Sequence, residues 1–305
     1  MVPLKVAFVG SGGAARGIAH LGVLKACEEV GIVPTIFVGT SAGALVAATY
    51  GQDIPLDVLL DAYRLPWRRR HNGPRLYMRT FMGAPSARDF LDPGYLLSGV
   101  FSMNRLERYL ERFLPENDFS RIDNHILVTA VDIDSGERVV FGRGHRTDVP
   151  ISKAVAASCS VPGIFRPMKV GDQYLMDAEV KRTLSLDLAI NAGANVIIIS
   201  NVYRPELRAP GERSLARSGP FGVFRQAVNL VMSEKERRGV ELLRRTYPRV
   251  VFLDIAPDIG EFSYVNRYSA RSLVLRGYRS ALRTLTEAKE RGVFDEVNGS
   301  DAALN

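Results

Sequence analysis

The sequence predicts an α/β fold of three layers (α/β/α), with helices on both faces of a mostly parallel central sheet. Two early observations carry this. Residues 5–9 and Ile36-Phe37-Val38 are short apolar runs, and each passes through a glycine-rich turn into a stretch of helix formers. The resulting order β-α-β-α is the pattern of parallel strands covered by helices. Sheet signals then return at residues 126–133, 138–141 and 196–200, with helical stretches between them.

The first strand ends in Gly10-Ser11-Gly12-Gly13-Ala14-Ala15-Arg16-Gly17. A helix is expected over about 18–30, with Leu21, Leu24, Ala26 and Cys27 on its apolar side and Gly31 closing it. The second strand enters Gly39-Thr40-Ser41-Ala42-Gly43, and a run of good helix formers follows. A serine with glycines two residues before and two after fits a nucleophile elbow, a strained turn whose close neighbours must be tiny. Ser41 Oγ then projects at a helix N-terminus, where backbone N–H groups favour developing negative charge. The plainer reading is a glycine-bounded turn with an N-capping serine. Both glycine-rich turns fall at the carboxyl ends of their strands, where parallel sheets collect their chemistry.

Residues 52–115 differ in character and read as a helical cap segment, with helices at 56–63 and 104–113. Between them lie Trp67, Arg68, Arg69, Arg70 and His71, then Tyr77, Arg79, Phe81 and Met82. Arginines among aromatic residues suit an anionic membrane surface, which makes Trp67, Arg68, Arg69, Arg70, Tyr77 and Phe81 candidates for a lipid-facing cap. A cap whose apolar residues face the core, with solvated arginines, accounts for the same pattern. Further on, strands at 126–133 and 138–141 join across Asp134-Ser135-Gly136, and a helix is expected at 151–158. Residues 170–174 suggest a hairpin turn before Leu175-Met176-Asp177-Ala178-Glu179. A helix at 184–192, a loop rich in Arg, Pro, Gly and Ser at 204–220, a helix at 221–245, a strand at 250–254 and a helix at 268–291 complete the chain. No repeat or linker divides it, so residues 1–305 are read as one domain, with a C-terminal helical extension over about 221–305.

The chain of 305 residues has 46% hydrophobic and 24% charged residues, as an ordinary globular protein does. Its net charge of +7 suits an anionic membrane or nucleic acid without identifying either, and nucleic acid rests on nothing else. Cys27 and Cys159 are too few for a disulfide framework or a zinc site, which points to a reducing compartment. No signal-peptide pattern opens the sequence, and no apolar run approaches the ~20 residues that span a bilayer. The expectation is a soluble cytoplasmic protein, with peripheral membrane contact open.

The first turn meets two templates. Gly10-x-Gly12-x-x-Ala15 matches a dinucleotide fingerprint, but that site needs an acidic residue ending the second strand, and Gly39-Thr40-Ser41 stands there. The other template is a row of N–H groups at Gly12, Gly13 and Ala14 aimed at a developing oxyanion, with Arg16 steadying the loop. Ser41 also needs a base. His20, His71, His125 and His145 have no motif around them and are read as structural or solvated. Asp177, a lone carboxylate after an apolar stretch, is the better candidate, because desolvation there raises its pKa; capping the next helix is its plainer role.

Taken together, these motifs resemble those of the patatin-like phospholipases. Ser-Gly-Gly-Ala-Ala-Arg-Gly followed by Ala-His-Leu-Gly-Val-Leu is similar to that family's oxyanion loop and first helix, and Gly-Thr-Ser-Ala-Gly to its nucleophile motif. Residues 157–165 resemble the segment before its catalytic aspartate, and Asp177-Ala178-Glu179 lies where the family has Asp-Gly-Gly or Asp-Gly-Ala. The match covers roughly residues 4–202. It implies an α/β fold, a Ser41–Asp177 dyad without histidine or cofactor, and hydrolysis of acyl esters in lipids, of phospholipase A or lysophospholipase type. Two positions depart from the pattern. Ala14 replaces a glycine and keeps its N–H, provided the loop does not need positive φ there. Ala178 and Glu179 replace glycines, and Glu179 beside Asp177 would raise the base's pKa. A weak or inactive scaffold that binds membrane or a protein partner is therefore the alternative, and a nucleotide-binding oxidoreductase ranks below it.

Overall fold

The computed structural model describes residues 3–62, 76, 78–85, 89–181, 184–202, 207–208, 210–257 and 267–295. Its centre is a sheet built on β1 (Val6–Gly10), β2 (Ile36–Thr40), β4 (His125–Asp132), β9 (Val196–Ser200) and β10 (Val251–Ile255), with the short β3 (Gly99–Phe101) lying outside it. β10, β9, β1, β2 and β4 lie side by side in that order, all parallel. β5 (Arg138–Gly142), β7 (Met168–Val170) and β8 (Gln173–Asp177) add an antiparallel end, while β6 (Gly163–Phe165) pairs with β3 apart from this sheet. The mostly parallel sheet expected from the sequence is thus present, with a mixed edge at the β4 side.

Side chains of the parallel strands alternate between two apolar layers, as period-two geometry requires. Val6, Phe8, Phe37, Val196 and Ile198 face one layer; Ala7, Val9, Ile36, Val38, Ile197 and Ile199 face the other. Burial on both faces explains why these strands read as unbroken apolar runs. The first layer is filled by α1 (Ala19–Val30), α2 (Ala42–Tyr50), α3 (Leu56–Ala62), α6 (Asn104–Phe113), α7 (Ile151–Ser158) and α10 (Arg267–Glu290). α4 (Met78–Phe81) and α5 (Pro93–Leu96) are single turns beside them. The second layer is covered by α8 (Leu186–Asn191) and by Val240 and Leu243 of α9 (Gly219–Thr246). A bidentate pair, Arg138 to Asp187 at 3.0 and 2.6 Å, ties β5 to α8. No helix among the described residues is long and apolar enough to cross a membrane.

β4 arranges the functional end of the sheet. Its residues Leu127–Val131 pair with β5 along one edge. On the opposite edge, β2 pairs as far as Thr40 against Thr129, and β8 takes over at once with Asp177 against Ala130. β2 and β8 run in opposite senses there, so their carboxyl ends meet end to end.

Candidate active site

Ser41 stands between β2 and α2 at φ 53° and ψ −119°. Non-glycine residues are rare in such a conformation, which costs on the order of 1–3 kcal/mol and persists only where the surroundings impose it. The flanking glycines show how they do so. A Cβ on Gly39 would lie 2.3 Å from the Gly43 carbonyl, and one on Gly43 would lie 2.2 Å from the Gly10 oxygen. Only bare backbone lets α2 come this close to the ends of β1 and β2. Polar bonds hold the turn: Ser41 N–H donates to Ser158 Oγ at 2.8 Å, and Thr40 Oγ1 lies 2.8 Å from Thr129 Oγ1. The Cys159 thiol approaches the Ser41 carbonyl at 3.4 Å.

The glycine-rich loop faces this turn from the end of β1. Gly13 takes φ 145° and Ala14 takes φ 49°. The loop therefore does need positive φ at residue 14, and alanine adopts it under strain. No hydrogen-bond acceptor among the described residues meets the N–H groups of Gly12, Gly13 or Ala14. The Arg16 N–H donates to the Gly13 carbonyl at 3.0 Å, at the start of the 3₁₀ turn Ala14–Ile18.

A buried polar brace supports the loop from beneath. Ser11 N–H donates to the Ser200 carbonyl at 3.0 Å, and Ser11 Oγ accepts from Val202 N–H at 2.9 Å. His20, fully buried on α1, places Nε2 2.8 Å from the Ser11 carbonyl and Nδ1 2.6 Å from Ser200 Oγ. A carbonyl only accepts, so Nε2 carries the proton and Nδ1 accepts from the Ser200 hydroxyl. Burial lowers the His20 pKa to about 4, outweighing the bond to Ser11. His125 Nε2 is bonded to the Arg143 carbonyl at 3.0 Å, and His145 is exposed. His20, Ser158 and Ser200 are contributors that the sequence reading did not single out for the site. Their only signal was a polar residue on an otherwise apolar face.

Asp177 ends β8, 1% exposed. Its N–H donates to the Ser160 carbonyl at 3.0 Å, and its Oδ1 accepts from Glu179 N–H at 3.0 Å. Ala178 and Glu179 both lie at negative φ, so the backbone after Asp177 does not require glycine. Burial raises the Asp177 pKa to about 7, against the lowering effects of the Ser41 hydroxyl and the Glu179 N–H. The register sets the ends of β2 and β8 against each other and so brings Ser41 near Asp177, whose Oδ2 has no hydrogen-bond partner among the described residues. A well-formed bond between nucleophile and base is commonly made only once substrate is bound.

Glu179 is half-buried as a residue, but its Oε1 is sealed from solvent and unpartnered. Burial first, then the charges of Asp177 and Glu236, push its pKa well above the ordinary range. Among the cap candidates, Trp67, Arg68, Arg69, Arg70 and Tyr77 lie outside the described residues. Phe81 is half-buried and packs against the first apolar layer.

A family model described as patatin-like phospholipase matches residues 8–190. The chain is 24% identical over 291 residues to the uncharacterized NTE family protein Rv2565 of Mycobacterium tuberculosis (strain ATCC 25618 / H37Rv), covering 92% of this chain and 46% of that protein. It is 28% identical over 237 residues to the patatin-like phospholipase domain-containing protein ZK370.4 of Caenorhabditis elegans, covering 74% of this chain and 16% of that one. This chain therefore spans less than half the length of either relative. Among solved structures, VipD from Legionella pneumophila aligns at a TM-score of 0.45 and 14% identity, over 94% of this chain and 67% of that one. With the family match spanning more than half of its length, this chain belongs to the patatin-like phospholipase family.

Proposed function

We propose that the chain is a serine acyl-ester hydrolase acting on lipids, of phospholipase A or lysophospholipase type, through Ser41 and Asp177. The observation that carries this reading is the convergence of a strained serine turn, a buried carboxyl with its pKa near 7, and three N–H groups that meet no acceptor among the described residues, at the ends of neighbouring strands. Ser41 Oγ attacks the ester carbonyl carbon as Asp177 takes the hydroxyl proton. The N–H groups of Gly12, Gly13 and Ala14 hold the tetrahedral oxyanion, and the positive end of α2 adds to the field at Ser41. Asp177 returns the proton to the departing alcohol, then takes one from the water that attacks the acyl-enzyme and passes it to Ser41 Oγ as the carboxylic acid leaves. Nothing in this sequence of steps requires a metal or an organic cofactor.

Hydrolysis of p-nitrophenyl esters and phosphatidylcholine by wild type, Ser41→Ala and Asp177→Asn tests the reading. Each variant should lose on the order of 10³-fold or more in kcat/KM while remaining folded. Turnover that survives Ser41→Ala would overturn it. The second reading, an inactive scaffold binding membrane or a partner, is favoured by Glu179 lying against the oxyanion loop. Labelling of Ser41 by a fluorophosphonate separates the two. Peripheral contact with anionic membrane through Arg68, Arg69 and Arg70 is a further part of the proposal: replacing them should weaken vesicle binding and spare soluble-ester turnover.

A further inference from the structure

The side chain of Glu179 lies across the loop that the hydrolase reading assigns to the oxyanion. A Cβ built on Gly12 would meet Glu179 Oε1 at 2.0 Å, Cδ at 2.2 Å and Cγ at 2.7 Å. The carboxyl group and the carbon before it therefore rest directly on the bare Cα of Gly12. That space adjoins the N–H groups of Gly12, Gly13 and Ala14, which meet no acceptor among the described residues.

Little holds the carboxyl there. Oε1 is sealed from solvent and accepts no hydrogen bond among the described residues, an unfavourable condition for a buried polar atom. A carboxyl serving as a structural tie would be bonded, as Asp187 is to Arg138. The charged groups that act on Glu179 among the described residues are Asp177 and Glu236, neither of which can pair with a carboxylate. Glu179 sits in the short 3₁₀ turn Ala178–Val180 and is itself only half-buried as a residue, with exposed Val180 next to it. Meanwhile Ser41 is only 4% exposed, and Asp177 less so. The arrangement is a closed site with a weakly held side chain across it.

We propose that Glu179 is a built-in occupant of the substrate space against Gly12, and that an ester reaches Ser41 only after this side chain has swung away. The inference rests on the hydrolase reading above and adds to it a self-blocking contact within the same site. A blocked resting state lowers apparent affinity by the fraction of molecules that are open. Removing the occupant therefore raises kcat/KM and the rate at which Ser41 is captured by a reagent.

Three forms of the 305-residue chain test this: wild type, Glu179→Gly and Glu179→Gln. The measurements are kcat and KM for p-nitrophenyl butyrate, and the second-order rate of fluorophosphonate labelling. If about one molecule in ten is open at rest, Glu179→Gly should gain about tenfold in both, chiefly through KM, with Glu179→Gln close to wild type because it keeps the shape. Glu179→Ala repeats the test with a less flexible backbone, and melting temperatures verify folding. An active wild type with folded Gly and Ala variants no faster than it overturns the occupant and leaves the hydrolase standing. Absence of both labelling and turnover in all the proteins overturns the hydrolase reading, and the occupant with it.

Discussion

Thr40 and Asp177 occupy consecutive places along one edge of β4, paired with Thr129 and Ala130. Because β2 and β8 run towards each other there, the residue after Thr40 and the residue ending β8 must come close, whatever their side chains. The meeting of Ser41 and Asp177 is a property of strand register before it is a property of chemistry. A one-residue slip of β8 would turn the Asp177 side chain to the other face of the sheet.

The first prediction concerns pH. As the proposed base, Asp177 must be ionised, and burial raises its pKa to about 7. The value of kcat/KM should therefore fall as pH drops below about 7 and level off above it. His20 cannot supply this transition, because its pKa is lowered to about 4 and both its ring nitrogens are bonded elsewhere. A profile flat from pH 5 to 8 would remove Asp177 from that role.

Much of this site was legible in the sequence because glycine and serine punctuate apolar runs where strand gives way to helix. Gly39, Ser41 and Gly43 announce the turn, and the close approaches of both glycines explain their identity. The helix at 151–158 and the antiparallel strands flanking Asp134-Ser135-Gly136 were equally plain, since local composition alone decides them. Contacts between residues distant in the chain were not legible. Nothing local to Glu179 says that its carboxyl lies on Gly12, and nothing local to His20 marks it as the brace of Ser11. The positive φ of Ala14 was hidden for a related reason, since the loop's path is set by partners such as Ser200 and Val202 rather than by alanine's own preference.

The same burial that tunes Asp177 should weaken the fold at higher pH. Its folded pKa of about 7 lies above the ordinary value of 3.8, so the folded state holds the proton more tightly. That contribution is fully present below about pH 4 and is lost as pH rises through 7. Asp177→Asn, which cannot ionise, should melt higher than wild type at pH 8, with the gap closing towards pH 4. A gap independent of pH would mean that Asp177 is not the group responsible.

His20 works in the opposite sense. Its folded pKa, about 4, lies below the ordinary 6.5, so its contribution to stability is present above pH 6.5 and lost as pH falls through about 4. His20→Gln should be less stable at neutral pH, through loss of the bonds to Ser11 and Ser200, and should show a shallower acid transition. Equal slopes in urea-unfolding midpoint against pH for the two proteins would contradict this.

The backbone at Ser41 makes the last prediction the sharpest test of strain. Serine at φ 53° and ψ −119° is held there by Gly39, Gly43 and the bond to Ser158. Glycine adopts such angles freely, whereas alanine meets the same clash as serine. Ser41→Gly should therefore unfold at higher temperature than Ser41→Ala, by the few degrees that about 1 kcal/mol represents in a chain of this size. The gain is limited because glycine also has more freedom to lose from the unfolded state. Both variants should be inactive, so stability and catalysis part company at this residue. Equal melting temperatures for the two would show that the turn is relaxed, and the strained-elbow account of Ser41 would have to be abandoned.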